Sequence, residues 1–252
     1  MSEDETNTDL IVDAEGQKLG HGPWSVEEAS FTIHALGPRY FATNIIGRAY
    51  DGDLCAEVTV EPLTAGPDKR YVSSIVISNA ELSRITTNYA HRDKVPTGHV
   101  FLDLQLTGLV SEAIGPNTRG GGKLVVKNGT LFDLPILGGL SELLSKIIPG
   151  LGFASQTDME CTLTIADGAI TTDDLRLSGD ILSIKASGYV EFDGRLNIRA
   201  QVQLLRKGPI AALLRLITLP VTKLFEFQLT GTLEQPKWRP VNLPKELFLI
   251  FD

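Results

Sequence analysis

Four histidines, two cysteines and a group of aspartates are the residues of this chain best suited to bind a metal or drive a reaction. Their spacing decides against it. His21, His34, His91 and His99 form no i,i+4 pair and lie in no carboxylate pattern of a metal-bearing helix, so they read as surface or core histidines. Asp167, Asp173, Asp174 and Asp180 fall in one stretch without the D-x-D-x-D-G order of a calcium loop, which leaves turn and capping roles. Gly120-Gly121-Gly122 leads into a β-prone run, with no Lys-Ser or Lys-Thr after it, so it reads as a flexible or close-packed turn instead of a phosphate cradle. Cys55 and Cys161 have no metal-type spacing and are expected as free thiols. Cys161 keeps phase with Met159, Leu163 and Ile165 and should be buried, whereas Cys55 is out of phase with Leu54 and Ala56 and should be accessible. No G-x-S-x-G elbow occurs. The residues predict no catalytic site, no metal site and no cofactor.

A net charge of −8 argues against general nucleic-acid binding, which depends on surplus Lys and Arg to neutralise phosphate. The acid is concentrated at the start, where Glu3, Asp4, Glu5, Asp9, Asp13 and Glu15 stand without a base, so residues 1–28 read as an acidic, flexible segment. Basic residues, among them Arg206, Lys207, Arg215 and Lys223, gather near the other end. The opening MSEDETNTDL has neither the basic nor the apolar region of a signal peptide, and no apolar run reaches the ~20 residues of a membrane span. As written, the chain reads as soluble.

The elements that would carry any site are mostly strands. Residues 120–153 set the pattern: a β-prone run, Asn128-Gly129 as an expected hairpin turn, a second run, then a change of period at Pro135. From there Ile136, Leu137, Leu140, Leu143, Leu144, Ile147, Ile148 and Leu151 trace one helical face, Pro135 suits the first turn, and Pro149-Gly150 ends the helix. Burying that face does not alone outweigh the entropy of ordering the segment, so the helix must lie on an apolar surface. Gly138 and Gly139 each cost about 1 kcal/mol in a helix interior relative to Ala, which calls for a close backbone approach or a hinge.

The remaining strands are equally legible. Asp51-Gly52, Asp167-Gly168 and Asp193-Gly194 mark tight turns between alternating runs. Val100, Leu102, Leu104 and Leu106 share one face; so do Met159, Cys161, Leu163 and Ile165, and Leu196, Ile198, Ala200 and Val202. A second helix is expected over residues 209–219, and residues 235–244, with three prolines, read as irregular. The fold class predicted is mainly β: a long, twisted antiparallel meander with one apolar face, and two amphipathic or apolar helices packed on it or capping it. A conventional closed sandwich is the rival.

The run GGGKLVVKNGTLFDLPIL with its following helix, then LTIADGAITTDDLRLSGDILSIKASGYVEFDGRLN, and finally LTGTLEQPKW, resembles the C-terminal region of the AsmA-like proteins. These belong with the TamB-type and YhdP-type bridge-like lipid transporters of Gram-negative bacteria. The likeness covers residues 120–238, more weakly 29–110, and rests on order and turn residues without a catalytic motif. It implies a β-taco-like open groove whose apolar concavity carries phospholipid between inner and outer membranes, and a periplasmic or cell-envelope location. The chain is short for a bridge and shows no anchor helix, which suggests a C-terminal piece of a longer protein.

On that reading the partner is a phospholipid or other acyl lipid. Leu102, Leu104, Leu106, Leu163, Ile165, Leu196, Ile198 and Val202 would line the groove; Leu140, Leu143, Leu144 and Ile147 would form a helical lid hinged at Gly138 and Gly139. Residues 29–110 and 120–238 would be two portions of one groove, and 239–252 an apolar tail in contact with a membrane surface or an envelope protein. The reading from a different class is a structural or partner-docking β domain closed on itself, with no ligand; an enzyme ranks last.

Overall fold

The computed structural model describes residues 9–21, 24–63, 68–87, 95–110, 115–147, 157–180, 182–204 and 225–242. The helix expected over residues 209–219, residues 1–8 and 243–252, and His91 lie outside them. Six strands come first: β1 (Asp9–His21), β2 (Trp24–Leu36), β3 (Arg39–Ala49), β4 (Gly52–Pro62), β5 (Lys69–Glu81) and β6 (His99–Val110), with a short helix α1 (Leu82–Thr86) after β5. Next come β7 (Arg119–Gly129), a 3-10 turn at Leu131–Asp133 and helix α2 (Pro135–Ile147). The chain continues through β8 (Thr157–Ala166), β9 (Ala169–Gly179), β10 (Leu182–Glu191), β11 (Arg195–Leu204), β12 (Phe225–Thr232) and β13 (Pro236–Asn242).

All thirteen strands form one sheet in sequence order, each antiparallel to the strand before it. The expected meander is what the chain builds, with the sheet open between β1 and β13. Tight turns drive it: Tyr50 and Asp51 (φ 55° and 64°) join β3 to β4, and Asp167 and Gly168 (φ 51° and 77°) join β8 to β9, the left-handed pairs that match the twist of flanking strands.

Four register breaks each carry a left-handed residue. Glu28 sits in the break of β2, Asn44 in that of β3, Asn79 in that of β5 and Asn128 in that of β7, all with φ between 51° and 60°. Such bulges bend a strand and increase its twist, so the sheet curls where they recur. This corrects the reading of Asn128-Gly129. The pair does not turn a hairpin; β7 runs through it, the Asn128 N–H donates to the Asp158 carboxylate at 2.9 Å, and Gly129 pairs with Thr157. The same left-handed tolerance that favours a turn is used for a bulge.

Three further expectations are corrected. Gly120, Gly121 and Gly122 are strand, paired with Leu106, Gln105 and Leu104 of β6, and not a turn. The acidic start is not a tail from Asp9 onward but β1, paired with β2 along its whole length. Residues 235–244 were expected irregular, and 236–242 are β13, because prolines are compatible with an edge strand. The division at 110 and 120 does not interrupt the sheet, since β6 and β7 pair directly.

Candidate functional site

Paired residues in an antiparallel sheet point to the same face, so register alone traces what that face presents. One row of partners crosses every strand. It begins Val12, Ile33, Ala42, Val58, Ser73, Leu106. It continues Gly120, Ile165, Ile170, Val190, Leu196, Gly231 and Pro236. None is charged and only Ser73 is polar. A second row, Ala80, Val100, Val126, Met159, Leu177, Ile184, Val202 and Phe225, is apolar throughout.

The two halves of this face differ in cover. Leu140 and Leu144 of α2 are fully buried and belong to one core cluster with Val100, Val126, Leu177, Ile184, Val202, Phe225 and Phe227. Helix α2 therefore lies on the second row. Its N-terminal end is fixed twice: Leu131 and Phe132 of the 3-10 turn are buried beside it, and the Trp238 indole N–H of β13 donates to the Ile136 carbonyl at 2.6 Å. Gly139 accounts for one of the two helix glycines. An added Cβ there would come within 3.1 Å of Trp238 Cδ1, so the glycine lets helix and indole approach. Both glycines lie inside a continuous helix.

On the other side of the sheet the same face is only half-buried. Ile33, Ile45, Val58, Ile75, Leu102, Leu104, Leu106 and Leu163 are all partly exposed, and none of them belongs to the core cluster, which reaches this side through Tyr50, Ile77 and Leu124. Of the residues singled out in the sequence, Leu102, Leu104, Leu106 and Leu163 thus stand together on the less covered half. Ile165 and Leu196 are buried in the first row, Ile198 is half-buried, and Val202 is fully buried under α2. Leu140 and Leu144 face the sheet and Leu143 is half-buried; nothing is described of the Ile147 side chain.

The opposite face is polar and cross-linked over β7–β12, whereas over β3–β6 it also exposes Ile46, Val72, Val76 and Phe101. Lys123 pairs with Glu160 at 3.8 Å, Lys127 with Asp158 at 3.1 Å and Arg199 with Glu226 at 2.9 Å. Asp174 accepts from the Thr162 backbone N–H at 2.7 Å and its hydroxyl at 2.8 Å, which holds its carboxyl below the ordinary range and pins the irregularity between β8 and β9. Asp158 is lowered likewise by the Asn128 N–H and Lys127. A shallow depression of about 300 Å³ lies on this face between Asp173, Arg176, Lys185 and Arg199, its charges mixed in sign.

The chemistry-bearing residues are dispersed. His34 Nε2 lies 2.6 Å from Asp9 and His99 Nδ1 3.5 Å from Glu81, on separate strands, and Asp167 caps a turn beside Arg119. Among the described residues no three His, Cys, Asp or Glu stand close enough to hold a metal ion. No helix among them is long and apolar enough to cross a membrane. Cys55 is exposed and Cys161 buried, as their phases in β4 and β8 predict. Residues 29–110 were expected to form a first portion of this face, but the residues there that continue the stripe of β6, Ile33, Ile45, Val58 and Ile75, were not singled out in the sequence. Comparison with protein-family models, curated proteins and solved structures finds no match.

Proposed function

We propose that the chain binds acyl lipid along the apolar face of its sheet and passes it on, as a module of a bridge-like phospholipid transporter of the AsmA-like kind in the bacterial cell envelope. No bond is made or broken: acyl chains lie against the half-buried leucines and isoleucines of β2–β8, and head groups stay in water at the rim. The observation that supports this best is the uncharged row running through all thirteen strands from Val12 to Pro236. Side chains left part-exposed on such a row gain roughly 25 cal/mol for each Å² of apolar surface that a lipid removes from water. Bulges of the kind found in β2, β3, β5 and β7 bend strands and increase twist, which supports reading the stripe as a trough.

The complete burial of Leu144, Val202 and Phe227 favours a second reading for the other half, in which α2 simply closes a structural core. The readings diverge in one experiment. Native mass spectrometry of the purified chain, followed by titration with fluorescent phospholipid, is expected to show bound lipid and saturable uptake. Leu104→Asp should abolish uptake while the protein stays folded, because its site is partly solvated. Uptake unchanged by Leu104→Asp, or none by the parent chain, assigns the whole face to the closed structural role. If α2 acts as a lid, Leu143→Asp also weakens lipid retention without unfolding the chain.

A further inference from the structure

The two edges of the open sheet are built differently. At the far edge, Thr232 and Gln235 exchange backbone hydrogen bonds of 3.3 and 3.1 Å, and alternation along an antiparallel pair then turns Lys237 and Arg239 toward β12 and Pro236, Trp238 and Pro240 toward the free side. Two of the three outward positions are prolines, which have no N–H to offer. β13 is seven residues long and closed to further pairing.

β1 has none of these protections. It is thirteen residues long, contains no proline, and keeps one unbroken register with β2 from Asp9↔Leu36 to His21↔Trp24. Three consecutive apolar residues of it are exposed: Ile11, at 63% the most accessible large apolar side chain among the described residues, Leu10 at 53% and Val12 at 41%. Alternate residues Leu10, Val12 and Ala14 continue the apolar face, and Asp9, Asp13 and Glu15 line the other side, with the exposed Ile11 between Asp9 and Asp13. Among the described residues these carboxylates meet only His34 and Thr32 of β2, and no Lys or Arg bridges them.

We propose that the β1 edge accepts an extended segment of a partner protein in which apolar residues alternate with Lys or Arg, adding a fourteenth strand to the sheet. The apolar set would continue the face of Leu10 and Val12, the basic set would lie opposite Asp9, Asp13 and Glu15, and main-chain hydrogen bonds supply the affinity. A second copy fits neither way. Two β1 strands paired with faces matched bring acidic residues opposite one another in the registers from Asp9 opposite Asp13 to Glu15 opposite Glu15, and β13 of another copy is blocked by Pro236 and Pro240. The inference is independent of what the apolar face binds.

The test uses the whole chain and two synthetic peptides of the length of β1, one alternating valine with lysine and one alternating valine with glutamate. The valine–lysine peptide is expected to bind and to slow hydrogen exchange of β1 amides, with the valine–glutamate peptide roughly tenfold or more weaker. Asp13→Lys should narrow or reverse that preference. Of Ile11→Pro and Val12→Pro, the one whose N–H faces the free edge should abolish binding with little change in melting temperature, whereas the other breaks a ladder bond and lowers it. Binding without protection of β1, equal affinity for both peptides, a preference unmoved by Asp13→Lys, or a concentration-dependent dimer of the chain alone in sedimentation each overturns the proposal.

Discussion

The indole N–H of Trp238 reaches back 102 residues to hydrogen-bond the Ile136 carbonyl at 2.6 Å. Ile136 stands in the first turn of α2, and three residues on, Gly139 is bare where the same indole passes. One side chain of the last strand thus fixes both the end and the tilt of the helix that covers the second half of the sheet. A strand and a helix distant in sequence are held by one donor and one missing methyl group.

Trp238→Phe keeps much of the apolar contact and deletes the donor, leaving the Ile136 carbonyl to find water. The expected cost is about 1 kcal/mol, the usual net worth of such a bond. Denaturant unfolding measures it, and hydrogen exchange should rise in α2 before it rises in β10 or β11. An unchanged α2 exchange rate would mean that Leu140 and Leu144 hold the helix unaided.

Gly122→Ala should be far more damaging than a glycine-to-alanine change in an ordinary strand. A Cβ at that position would lie 1.9 Å from the Asp103 carbonyl oxygen of β6, and a backbone atom in a paired ladder has nowhere to go. Overpacking of this kind costs about 1–3 kcal/mol. Thermal unfolding gives the value, and a neutral result would show that β6 and β7 can separate locally.

Thiol labelling under native conditions should proceed at Cys55 and lag at Cys161. Burial among Leu124 and its neighbours pushes the Cys161 thiol up, and the nearby Asp174 carboxylate adds to that, so the reactive thiolate is scarce as well as covered. Raising the pH to about 8.5, where an ordinary thiol is half ionised, should still leave Cys161 slow. Mass spectrometry of labelled peptides distinguishes them.

Period-two alternation made most of the sheet readable from sequence, because each strand's apolar set lies on one face and each turn needs a left-handed residue. Asp51 and Asp167 announced their turns for that reason. Asn128 gave the same signal and built a bulge instead, since positive φ is a local requirement and the choice between turn and bulge depends on whether the following residues find a partner; Gly129 finds Thr157. Glycines at 120–122 have no strand propensity, and only the closeness of backbone carbonyls explains them, those of β6 at Gly120 and Gly122 and that of Leu163 in β8 at Gly121. The acidic composition hid β1, whose alternation of Leu10, Val12 and Ala14 with Asp9, Asp13 and Glu15, broken only by Ile11, was present in the sequence all along. For the candidate face, the leucines of β6 and β8 were legible, while their division into a covered and a less covered half was not, because cover is set by where α2 docks.

Strict sequence order in the sheet makes the molecule close to one-dimensional. Each inner strand is stabilised by two neighbours and each edge strand by one, so folding can nucleate at any hairpin and zip outward, and unfolding should fray from β1 inward in steps. Evolution could lengthen or shorten such a sheet by whole hairpins without redesigning its interior. The clasp between Trp238 and α2 is the exception: it ties strand thirteen to the middle of the chain, so the C-terminal half should melt as a cooperative block while the N-terminal strands peel away singly.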